Sequence, residues 1–63
     1  MKNYKAFRNQ VKNIQTENDL KDAHISICCA YSAYRISHEQ FMKLCELMIS
    51  KRAEKGFSWG DGI

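Results

Sequence analysis

An all-α fold of three short helices is the architecture this 63-residue sequence predicts, and three observations carry it. The chain has no proline and only three glycines, so little interrupts a helix before its end. Apolar residues recur at helical spacing, as Tyr4, Phe7, Val11 and Ile14 and again as Phe41, Leu44, Cys45 and Met48. Two N-cap signals, at Thr16 and Ser37, divide the chain into thirds.

The first helix is expected over about residues 2–15, because the Tyr4/Phe7/Val11/Ile14 stripe needs three turns to form one face. Thr16 then offers a hydroxyl to the amide of Asp19, and the acids that follow it suit the positive end of a helix dipole. A second helix over 17–34 would turn Leu20, Ala23, Ile27, Ala30 or Tyr31, and Tyr34 inward. Ile25, Cys28, Cys29 and Ala33 make its other faces apolar as well, a pattern expected of a helix buried on several sides. Ile25, Ile27, Cys29 and Tyr31 also alternate as a strand would.

For the third helix, 38–55, the local chemistry is fullest. Ser37 caps it, Gln40 is spaced to reach back to the cap amide, and Ile36 is placed to pack on Phe41, a capping box with a hydrophobic staple. Lys51, Arg52 and Lys55 complement the negative helix end before Gly56. Only Arg35 and Ile36 separate Tyr34 from Ser37, so the second and third helices should form a tight antiparallel hairpin. Residues 1–56 read as one helical domain, and 57–63 as an aromatic, glycine-rich tail.

Shortness limits function. A chain of about 60 residues buries only about 60% of the surface its unfolded form exposes, leaving little room to enclose a substrate. No phosphate-binding glycine loop or paired-carboxylate motif is present, and the expectation is a non-enzymatic protein without cofactor. Cys28, Cys29 and Cys45 are an odd number that fits no disulfide framework. They are expected to be reduced, small core hydrophobes. His24 and Cys28, with His38 and Cys45 on the next helix, supply zinc-type ligands, but no Cys-x-x-Cys clamp joins them. No metal site is expected.

Met1-Lys2-Asn3-Tyr4-Lys5 is polar and is not followed by the apolar run of about 7 to 15 residues that a secretory signal requires. The longest stretch without a formal charge, Ala23 to Tyr34, falls short of the ~20 apolar residues that span a bilayer. A cytoplasmic protein with no membrane segment is the expectation.

The net charge of +3 is unevenly placed. Residues 1–16 carry Lys2, Lys5, Arg8 and Lys12 with no acid, and these bases cluster on one flank of the first helix as a candidate contact for an acidic partner or nucleic acid. Tyr4, Tyr31, Tyr34, Phe57 and Trp59 are candidate interface aromatics. The apolar second helix suggests a homo-oligomer, with Ile27 and Ala30 as candidate self-association residues.

Thr16-x-x-Asp19-Leu20 and Ile36-Ser37-His38-Glu39-Gln40-Phe41, which open successive helices, resemble short helical-hairpin accessory proteins encoded by phages and prophages of Gram-positive bacteria. The same stretch is similar to helical hairpins at the C-termini of many bacterial proteins. Those hairpins usually carry a glycine and an acid before the isoleucine, where this chain has Tyr34-Arg35. The resemblance implies a small accessory protein that binds a larger host protein, in some cases as an inhibitor of replication, transcription or defence factors. A nucleic-acid-binding protein using the first helix and a structural oligomerisation hairpin are the alternatives. Salt separates the first two: binding through phosphates weakens steeply as salt rises, and an apolar protein interface does not.

Overall fold

In a computed structural model, which describes residues 3–58, three helices account for most of the chain: α1 (Tyr4–Lys12), α2 (Glu17–Ser32) and α3 (His38–Lys55). Among the described residues there is no strand.

Each helix starts on a side-chain cap. Asn3 Oδ1 accepts the Ala6 amide at 3.0 Å to open α1. At Thr16 and Ser37 the capping boxes are complete. Thr16 Oγ1 accepts from the Asp19 amide and Asp19 returns to the Thr16 amide, both at 3.2 Å. Ser37 and Gln40 exchange the equivalent pair at 3.1 Å. Replacing Ser37 by Ala removes an acceptor for one of the orphan amides of α3. It is expected to cost about 1 kcal/mol, read as a thermal midpoint about 4–8 °C lower.

Two helices stop earlier than the apolar spacing suggests, for identifiable reasons. α1 was expected to reach residue 15, yet it ends at Lys12, with Asn13 at φ −93°, ψ 9°. The carboxylate of Asp19 reaches back to the amides of both Gln15 (3.0 Å) and Thr16 (3.2 Å), committing them to the start of α2. Ile14 still enters the core, but from the link. α2 was expected to run to residue 34 and ends at Ser32, because Tyr34 adopts a left-handed conformation with φ +60°.

The core takes residues from every helix and both links. Phe7 and Val11 of α1, Leu20, Ala23, Ile27 and Ala30 of α2, and Leu44 and Met48 of α3 are all buried, joined by Ile14 and Ile36. Buried in this cluster, Ile27 is 0% and Ala30 3% exposed. Both were expected to carry contact between two copies, and both are instead sealed by their own chain. α1 supplies the cover that a two-helix hairpin would lack. α2 is correspondingly buried on one side only: Ile25 is 51% exposed and Cys29 and Ala33 face outward, contrary to burial on several sides.

Beyond α3, Gly56 takes φ +72° and Phe57 packs against the core. The Ser58 amide and hydroxyl then donate to Glu17 Oε1 at 2.7 and 3.3 Å. No described helix is long and apolar enough to cross a membrane.

Candidate functional site

The end of α2 is a complete Schellman motif with an unusual occupant. The Arg35 amide donates to the Ala30 carbonyl at 2.9 Å and the Tyr34 amide to the Tyr31 carbonyl at 3.1 Å, the two reversed bonds that define the motif. Its geometry requires one residue in the left-handed region, where glycine is favoured because a Cβ crowds the backbone. At the end of α3 the chain meets that requirement with Gly56, at φ +72°. At the end of α2 it places Tyr34 there, at φ +60°.

Among the described residues nothing repays this choice. Tyr34 is 94% exposed, so its ring does not contribute to the core. The left-handed conformation costs a side-chain-bearing residue roughly 1–2 kcal/mol. An exposed strained aromatic is therefore an observation that points toward function rather than stability.

The surroundings of Tyr34 are more rigid than an ordinary loop. Tyr31, half-buried, stacks on Phe41 with ring centroids 4.2 Å apart and planes 14° from parallel. Its hydroxyl lies 2.9 Å from His38 Nδ1. These contacts tie the last turn of α2 to the first turn of α3. Between them lies an open groove of about 660 Å³, lined by Tyr31, Ser32 and residues 34–38. Its charged member, Arg35, is exposed, and no acid lines it. Tyrosine and arginine side by side on a fixed frame are the residue types that most often anchor a protein interface.

The remaining candidate residues are scattered. Lys5 and Lys12 lie on the exposed surface of α1. Arg8 is partly sunk beside α3 rather than presented with them. Tyr4 packs against the edge of the core. Lys2 and Trp59 lie outside the described residues. The basic flank of α1 and the Tyr34 turn are thus separate features, and only the turn concentrates aromatic, cationic and strained groups together. From sequence the tyrosine was legible as an interface residue, but it was placed inward on α2. The missing signal was a glycine, whose absence hid the helix end.

The three cysteines are less buried than expected of core hydrophobes: Cys29 is exposed, and Cys28 and Cys45 are half-buried. Burial raises the pKa of Cys28 above its ordinary 9.0, and the neighbouring Cys29 adds to the rise. Burial likewise raises Cys45, with Cys28 adding to it. A raised pKa means less thiolate, the reactive form. At pH 8, iodoacetamide is expected to modify Cys29 first, with Cys28 and Cys45 slower than in the unfolded chain, as mass mapping would read. The sign for stability follows: both thiols favour the folded state fully below about pH 9, and the contribution is lost as pH rises through their higher folded values. Among the described residues no three His, Cys, Asp or Glu side chains gather as a metal site would require.

No protein-family model, curated protein or solved structure matches the chain.

Proposed function

We propose that this protein is a small, non-enzymatic, cytoplasmic binding module that docks on a larger protein through the turn between α2 and α3. The observation that carries the reading is Tyr34, an exposed aromatic kept in a conformation that glycine would adopt at lower cost. A residue that costs its own fold stability is explained in this reading by a contact made outside it. Arg35 and the adjoining groove supply charge and a recess beside the ring.

In this reading α2 and α3 act as an antiparallel hairpin whose tip is the contact. Support comes from both of its ends: Tyr31 meets Phe41 and His38 at the tip, and Glu17 meets Ser58 at the base. α1 is a brace that completes the core. Ile27 and Ala30, enclosed within one chain, are not part of the contact surface in this reading. An accessory role, modulating or inhibiting the larger protein, is the biological form that the phage-type resemblance suggests.

Site-specific photo-crosslinking in the native host tests the reading. A benzoylphenylalanine at position 34 is expected to trap one discrete protein, and the same probe at Asn9, exposed on α1, is not. No protein trapped from position 34, or the same protein trapped equally from position 9, would contradict it.

A further inference from the structure

Arg35 borders more than the groove beside Tyr34. It also lines a second open groove, of about 450 Å³, where Phe7 of α1 and Ile25, Cys29 and Ala33 of α2 give a largely apolar lining. One exposed cation thus serves two recesses. No acid is among the described residues that line either of them. The acids nearest in sequence are Asp22 and Glu39, and Glu39 is engaged by Lys43 at 3.6 Å. Among the described residues no ion pair or side-chain hydrogen bond engages the Arg35 guanidinium. Its main chain, by contrast, is fixed on both sides. The Arg35 amide is held by the Ala30 carbonyl at 2.9 Å, and the next residue, Ile36, is buried in the core.

We infer, resting on the docking of the turn set out above, that the partner presents a carboxylate to Arg35, flanked by apolar side chains that enter the two recesses. A guanidinium offers a planar fork of N–H donors that matches the two oxygens of a carboxylate. Launched from a fixed backbone, it has less freedom to lose on binding. In open water such a pair contributes little. Apolar groups seated on either side exclude water and counter-ions from it, and the attraction strengthens as the local dielectric falls. A protein segment fits this arrangement better than a nucleic-acid strand does. One cation is too few to hold a run of phosphates, and a phosphate backbone has no apolar group to place in the recesses.

The test is a selection from a displayed library of random peptides on the intact purified protein, repeated on Arg35→Glu. The wild type is expected to enrich peptides with aspartate or glutamate between apolar residues, and Arg35→Glu to enrich lysine or arginine in its place. Arg35→Gln should bind the wild-type consensus peptide at least about tenfold more weakly. Both variants should keep the wild-type circular dichroism, since the side chain is exposed and the structural bond is made by the backbone. In nitrogen-15 spectra the consensus peptide should shift the Ile25 and His38 amides together, one from each recess. No enrichment, a consensus without an acid, the same consensus on Arg35→Glu, shifts at one recess only, tighter binding of a single-stranded oligonucleotide, or a wild-type dimer in sedimentation that Arg35→Glu disperses would each overturn the inference. Crosslinking from position 34 separates this result from the docking itself. A protein trapped there without an acidic consensus leaves docking standing and sinks the acid-and-apolar pattern, whereas an acidic consensus with nothing trapped upholds the pattern and sinks docking on a host protein.

Discussion

Replacing Ile27 by aspartate is expected to leave the chain unfolded at 25 °C. Ile27 is 0% exposed in a core drawn from all three helices, and no buried polar or charged residue lies among the described core residues for a carboxylate to meet. An unpaired charge or a polar group without a partner in such a site costs several kcal/mol. A chain of this length has about 3–9 kcal/mol of stability in total, so one such substitution consumes most or all of it. Ile27→Val, which removes a single methylene, should cost only about 1 kcal/mol and remain folded. Circular dichroism separates the two outcomes. Because Ile27 is buried within one chain, the wild-type unfolding midpoint should also be independent of protein concentration, whereas a core shared between two copies would make it rise with concentration.

Tyr34→Gly is expected to change stability and function in opposite directions. Glycine removes the strain of the left-handed conformation, about 1–2 kcal/mol. It returns part of that gain by loosening the unfolded chain, a term of about 0.4–1 kcal/mol. No packing is lost, since the ring stands in solvent. The net is a gain of about 0.5–1 kcal/mol, or a thermal midpoint higher by about 4 °C in a protein of this size. The motif itself should persist, because its two backbone bonds, from Arg35 to Ala30 and from Tyr34 to Tyr31, do not use the side chain. Contact with the partner should fall by at least about tenfold, the effect of truncating an aromatic anchor worth about 2 kcal/mol.

These two residues also show what could be read without a structure. The third helix was legible end to end, because Ser37, Gln40 and Gly56 act within a few residues of themselves. The inward placement of Ile27 followed from spacing, but the packing of α1 on the other two helices did not, since those contacts are distant in sequence. The end of α1 was misjudged because Asp19 captures the amides of Gln15 and Thr16, a competition that apolar periodicity does not register. Tyr34, although also named as an interface aromatic, was placed on the inward face of α2 because a helix end is usually recognised by its glycine. Local chemistry was therefore visible in advance, and the features that depend on packing or break a local preference, such as the left-handed backbone of Tyr34, were not.

The most direct test of the binding reading is the affinity of wild type and Tyr34→Gly for the protein trapped from position 34, measured by titration of the two purified chains. A variant that unfolds at a higher temperature and binds at least about tenfold more weakly is the expected result. Equal or tighter binding by Tyr34→Gly would contradict it, and would leave the strained tyrosine without a role in partner contact.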